Sequence, residues 1–105
     1  MTLTERLESL LAAGADNARL RYGLAAAYRT EGKLELALEH AKLAVAADGD
    51  YSAAWRLLGQ LQANLGKSSE AKETFRRGIG VAERQGDRQL VKEMSVFLKR
   101  LEKQD

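Results

Sequence analysis

The stretch "AAWRLLGQLQANLGK", residues 53–67, sets a glycine at the centre of an otherwise well-formed helical pattern. Trp55, Leu58, Leu61 and Leu65 recur at three- and four-residue spacing, which makes the apolar stripe of an amphipathic helix. Gly59 follows the only tryptophan of the chain by four residues, and a glycine inside a helix costs about 1 kcal/mol relative to alanine. Its presence implies that a side chain there would obstruct something. The expected obstruction is a neighbouring helix.

The composition around this stretch points the same way. The chain has 105 residues, enough for one domain, with 45% hydrophobic residues. Neither proline nor cysteine occurs, so disulfides and thiolate metal sites are excluded, and the abundance of Ala, Leu, Glu, Lys and Arg is that of an all-α protein. Gly14, Gly32, Gly49, Gly66 and Gly86 each follow a run of helix formers, as left-handed helix-terminating glycines do. Thr2 with Glu5 reads as a capping box, and Asp16, Asp50, Ser68 and Asp87 stand where N-caps are expected. The resulting map has six helices, at about 3–13, 17–31, 33–47, 51–65, 69–84 and 88–103. Their short connections predict antiparallel helical hairpins.

An internal repeat accounts for the glycine. Aligning residues 17–50 with 51–84 sets Leu24 over Leu58, Ala25 over Gly59, Gly32 over Gly66, Ala37 over Ala71 and Ala44 over Gly78, each pair 34 residues apart. Each unit is a helix, a glycine turn and a second helix, and the pair resembles the tetratricopeptide repeat. The second unit supplies Trp55, Leu58, Gly59, Ala71 and Phe75 of that signature, and the first supplies Leu24, Tyr28 and Ala37. Arg21 takes the tryptophan slot, Gln62 the tyrosine slot, Ala41 the phenylalanine slot, and Gly49 and Glu83 replace the prolines. Small residues at Ala25, Gly59, Ala37 and Ala71 fall where helices approach most closely, and Phe75 and Ile79 are expected to face the α-helical stripe of Trp55 from the return helix.

The flanks extend the pattern. Leu3, Leu7, Leu10 and Leu11 put the first helix in register with the second helix of a unit. Leu90, Val91, Met94, Leu98 and Leu101 repeat the stripe of a first helix, with Ser95 in the small slot, once two extra residues are allowed in "RQGDRQ". Lys92, Glu93, Lys99, Arg100 and Lys103 suit a terminal helix with one face in water. The resemblance therefore implies a right-handed α-solenoid in one domain: a half-repeat at 1–17, repeats at 18–51 and 52–85, and a capping helix at 86–105.

It also implies that the first helix of each hairpin lines a concave groove. Spacing away from the core stripe selects Arg19, Tyr22, Ala26 and Arg29, then Arg56, Gln60, Ala63 and Asn64, then Gln89, Lys92, Val96 and Lys99. No acidic residue is among them, so the groove is expected to be positive although the net charge is only +2. Such a groove suits a peptide with acidic residues or a free carboxylate, because arginine presents a planar fork of donors. The lysine and asparagine clamp by which some members of the family hold a chaperone's C-terminus is not evident, since Tyr22, Ala26 and Glu93 occupy three of its slots. A surface of solvated arginines is the plainer alternative.

Other motifs carry less. "GKSS" at 66–69 lacks the glycine a phosphate loop needs at position 61, which is Leu61, and "DGD" at 48–50 is too short for a calcium loop. His40, the sole histidine, reads as a surface residue without a catalytic partner. The expectation is a non-catalytic interaction module with no cofactor and no metal. A nucleic-acid module using the same basic face is the competing class, disfavoured because Tyr22 is the only exposed aromatic candidate for stacking. Self-association through the terminal helices, at Val96 or Phe97, is a third possibility. The N-terminus lacks the pattern of a secretory signal and no apolar run approaches a membrane span, so a cytoplasmic protein is expected.

Overall fold

A computed structural model describes residues 1–104. They form six helices: α1 (Leu3–Ala12), α2 (Ala18–Thr30), α3 (Leu34–Ala47), α4 (Ser52–Asn64), α5 (Ser68–Arg84) and α6 (Arg88–Gln104). No strand occurs among the described residues. The helices pair as α2 with α3 and α4 with α5, while α1 packs on α2 and α6 on α5. Successive pairs stack into an all-α solenoid 42 Å in its longest dimension.

Helix ends follow the sequence signals in part. The Thr2 hydroxyl accepts from the Glu5 amide at 3.1 Å while the Glu5 carboxylate accepts from the Thr2 amide at 2.9 Å, which completes the capping box. Asp87 caps α6 by accepting from the Leu90 amide at 3.1 Å. Asn17, not Asp16, caps α2, because Asp16 is turned toward Arg21. Nor do Asp50 and Ser68 serve as caps: α4 and α5 begin after Tyr51 and Lys67, neither with a side-chain cap bond. Four of the five predicted turn glycines have positive φ, but Gly49 does not. There the chain leaves α3 through an extended Asp48, and the Gly49 carbonyl accepts from Trp55 Nε1 at 2.8 Å. The glycine at that turn serves a tryptophan rather than a left-handed bend.

The core is organised by two glycine notches. A Cβ built on Gly59 would lie 2.5 Å from Phe75 Cε1 and 2.7 Å from Cζ, so the ring of α5 occupies the space that a side chain on α4 would need. Phe75 is fully buried and its other face stacks on Phe97 at 5.5 Å. Burial of such a ring stabilises the fold by roughly 1.5–3 kcal/mol. Gly78 is the reciprocal notch: a Cβ there would meet Trp55 Cβ at 2.8 Å and Met94 Sδ at 2.6 Å. Thus α4 and α5 each carry one large and one absent side chain, matched across the contact. In the first hairpin Ala25, Ala37, Ala41 and Ala44 are all fully buried, so two smooth surfaces meet instead.

The predicted stripe of α4 is buried at Trp55, Leu58 and Leu61, with Leu65 half-buried. Ala54 and Leu57 are buried as well, because α3, α5, α2 and α6 all lie against this helix. On α1, by contrast, Leu3 and Leu10 are exposed.

Two glycines two residues apart on α5 should respond oppositely to alanine. Gly78→Ala forces a Cβ against the Trp55 stem, which is near the backbone and cannot swing away, at about 1–3 kcal/mol, more than the helix-propensity gain of about 1 kcal/mol. At Gly80 the nearest atom is the far end of Arg84, 4.0 Å away. Gly80→Ala should therefore gain up to about 1 kcal/mol. Urea denaturation of the two variants measures both signs.

Candidate interaction groove

The first helices of successive hairpins lie side by side, α2 beside α4 and α4 beside α6. Because α4 buries most of its circumference, Ala53, Arg56, Gln60, Ala63 and Asn64 are the residues of the helix that remain at least partly exposed. Arg56 sits in a hollow of about 450 Å³ with Gln60 of α4 and Lys92, Glu93, Phe97 and Arg100 of α6. Its guanidinium donates to the Glu93 carboxylate at 2.6 Å, and Glu93 also accepts from Gln89 at 3.1 Å. The bond from Arg56, then that from Gln89, lowers the Glu93 pKa. Burial opposes the charge of Arg56, but hydrogen bonds to Glu93 and to Tyr22 outweigh it and raise its pKa. Both groups are thus charged throughout the neutral range. One step along, Arg29 of α2 donates to Gln60 at 3.0 Å, and the Tyr22 ring leans on Tyr51 with centroids 5.1 Å apart.

The structure brings seven of the sequence-selected residues together: Tyr22, Arg29, Arg56, Gln60, Gln89, Lys92 and Val96. Ala26 is half-buried and packs against the core beside them. Arg19 lies at one end, in a hollow shared with Asp48 and Asp50, and Asn64 is exposed near the end of α4. Lys99 faces away from this hollow, onto the outer flank of α6 with Ser95. The expectation of a lining without acidic residues is corrected by Glu93, which lines the hollow beside Arg56. The spacing rule, running through Gln89, Lys92, Val96 and Lys99, leaves Glu93 out of the lining although the family's clamp has a slot at that position. Gln89, Lys92 and Val96 do border the hollow, and the face turned toward α4 continues through Glu93, Phe97 and Arg100 rather than Lys99. The four-residue step from Gln89 to Glu93 was the available signal.

A second polar cluster lies between α1, α2 and α3. Arg21, in the slot where the other hairpin has Trp55, grips Asp16 through two bonds of 2.8 Å and donates to His40 Nδ1 at 3.1 Å. The His40 ring stacks on Tyr28 at 5.5 Å and its Nε2 lies 3.7 Å from Glu8. His40 is therefore not the surface residue expected: its side chain is only 12% exposed. An accepting Nδ1 places the proton of the neutral ring on Nε2, facing Glu8. A polar trio thus fills the space that an indole fills in the next unit.

Comparison with known proteins follows this geometry closely. The pattern described as the tetratricopeptide repeat matches residues 52–85. A TPR repeat-containing protein of Pseudomonas aeruginosa is 42% identical over 101 residues, 96% of either chain. The chain belongs to the tetratricopeptide repeat family. Among solved TPR-like structures, that of a protein from Bordetella parapertussis is 39% identical with a TM-score of 0.86, covering 100% of this TPR chain and 91% of that one. The second TPR domain of the human RPAP3 protein, solved in complex with the HSP70 peptide SGPTIEEVD, is 31% identical with a TM-score of 0.77, covering 94% of this chain and 78% of that one. No helix among the described residues of this TPR chain is long and apolar enough to cross a membrane.

The His40 cluster sets a pH dependence. Burial first, then the Arg21 charge, lowers the His40 pKa against a weaker opposing pull from Glu8, Glu39 and Asp16. In the unfolded chain the ring takes up its proton near pH 6.5 while the folded ring still resists, so the unfolded state binds more protons and stability falls as pH drops through about 6.5. The lowered carboxylates, Asp16, Glu31 and Glu93, add to the loss only at more acidic pH. Thermal melts should show Tm declining from pH 7.5 to 5.5 in the wild type and a flatter profile in His40→Gln, whose amide oxygen can still accept from Arg21. Equal slopes would assign the dependence to other groups.

Proposed function

We propose that this chain is a non-catalytic adaptor whose groove between α2, α4 and α6 holds a segment of another polypeptide bearing acidic side chains or a free carboxylate. The observation that carries the reading is the Arg56–Glu93 pair. A guanidinium held in a partly enclosed hollow already has a carboxylate at 2.6 Å, which is the geometry an acidic ligand requires. Arg56 and Glu93 are 29% and 34% exposed, so an incoming carboxylate can reach the same donors. Lys92 and Arg100 flank the hollow and Arg29 lies beyond Gln60, so cations outnumber Glu93 along the path. The structural relative bound to SGPTIEEVD, a peptide whose last residues are rich in carboxylates, supports the same ligand class.

Glu93 also sets the terms of binding. It neutralises Arg56 in the free protein and competes with any ligand carboxylate for it, so it weakens the binding of an acidic segment. The polar side chains of Tyr22 and Gln60 and the apolar surface of Phe97 are offered along the path to an extended backbone.

An array of nine-residue peptides of varied net charge tests this directly. Acidic peptides should be retained preferentially, and Arg56→Ala should erase that preference. Glu93→Gln should tighten binding of an acidic peptide roughly two- to fivefold, the scale of a partly exposed ion pair. Retention independent of peptide charge would contradict the proposal.

A further inference from the structure

The two ends of the solenoid are each half of a hairpin. α1 is in register with the second helix of a unit: Leu3 and Leu10 stand 34 residues before Ala37 and Ala44, and 68 before Ala71 and Gly78. In both complete units these positions are buried against the first helix of the same hairpin. On α1 they are leucines, 59% and 50% exposed, with no first helix beside them. At the other end no second helix packs on the outer flank of α6 among the described residues. That flank, with the end of α5, encloses a hollow of about 650 Å³ floored by Val91, Ser95 and Val96. Ser95 occupies the slot of Gly59 and Val91 that of Trp55, the two positions by which α4 receives α5.

We propose that the chain associates head to tail with a second copy of itself, α1 of one copy taking the seat that a second helix would occupy beside α6 of the other. Side-chain volumes complement across that seat. Where Trp55 meets Gly78 within one chain, the smaller Val91 of one copy would meet the larger Leu10 of the next; where Gly59 meets Phe75, Ser95 would meet Leu7. A residue lost in size on one side is regained on the other. Charge complements too. On α1 Glu5 and Glu8 outnumber Arg6, whereas outside the Arg56 hollow and the Arg76–Glu102 pair α6 carries Arg88, Lys99 and Lys103, with Lys92 on the ridge. Of these, Arg88, Lys92 and Lys99 rim the hollow itself, beside Glu83 and Asp87.

Because the two patches differ, the contact is heterologous, and it extends into an open chain of copies rather than stopping at a pair. This contact does not rest on the peptide reading: the seat adjoins the hollow that holds Arg56, with Lys92 and Val96 on the ridge between them, but its floor at Val91 and Ser95 lies outside that hollow.

Sedimentation velocity on the intact chain tests the proposal. Wild type should show a mean mass that rises with concentration beyond that of a dimer. A head-blocked variant carrying Leu3→Glu and Leu10→Glu, and a tail-blocked variant carrying Ser95→Arg, should each remain monomeric. Mixed, they should form a one-to-one dimer and nothing larger, since one live head then meets one live tail. The leucines are exposed and Ser95 faces the hollow, so circular dichroism should show both variants folded. A wild type that stays monomeric up to about 1 mM overturns the proposal. So does a mixture of folded variants that remains monomeric, or association by either variant alone, which would come from a different surface.

Discussion

The aromatic ring of Phe75 lies where the Cβ of residue 59 would be, and the rest of the fold is arranged around that coincidence. Glycine at 59 lets α5 press its phenylalanine against the backbone of α4, and glycine at 78 lets α4 press its tryptophan against α5. Each notch is useful only because its filler is present. The close approach also carries Phe97 of α6 into contact with Phe75, and Met94 into contact with Gly78, so the position of the last helix follows from the same pair of absences. A Gly-to-Phe match of this kind is stiff: ring and backbone admit few alternative packings, and interiors at crystal-like density transmit displacement rather than absorb it.

From this packing the candidate groove inherits its geometry. Since α4 is enclosed on most sides, its groove-facing surface is reduced to a narrow line, and Arg56 and Gln60 are the polar groups on it nearest to both neighbours. Arg29 reaches Gln60 from α2, and Glu93 reaches Arg56 from α6, so polar bonds link the three helices α2, α4 and α6 across the face whose opposite side is the apolar core. The first hairpin solves its packing differently. With alanines at the contact points and Arg21 in place of an indole, it relies on Asp16, His40, Tyr28 and Glu8 to fill the space, which makes that end of the solenoid the pH-sensitive one.

Much of the fold was legible in the sequence for a plain physical reason: a period of 34 residues appears independently in apolar spacing, small residues and turn glycines. Six helices, the notch at Gly59 and the burial of Trp55 and Phe75 follow from those signals alone. Single-residue roles were less legible where two candidates stood side by side. Asp16 and Asn17 are equally good caps, and Arg21 decides between them by claiming Asp16. Gly49 looks like the other turn glycines, yet its use depends on an indole six residues away. Glu93 and Lys99 traded places for a similar reason, since the two extra residues before α6 leave its rotation about its own axis open, and only packing against α4 and α5 settles which face meets the groove. The burial of His40 is not legible locally because its partners come from two other helices, Glu8 from α1 and Arg21 and Tyr28 from α2, a convergence that no local window contains.

The central claim, that α4 and α5 are held at their distance by a ring seated in a glycine notch, is tested most directly by a double-mutant cycle of Gly59→Ala with Phe75→Leu, read by equilibrium denaturation. If the notch exists for the ring, the alanine costs stability in the presence of Phe75 and much less beside the smaller leucine, with a coupling of about 1–2 kcal/mol. Additive effects within about 0.5 kcal/mol would mean that Gly59 and Phe75 do not meet as described.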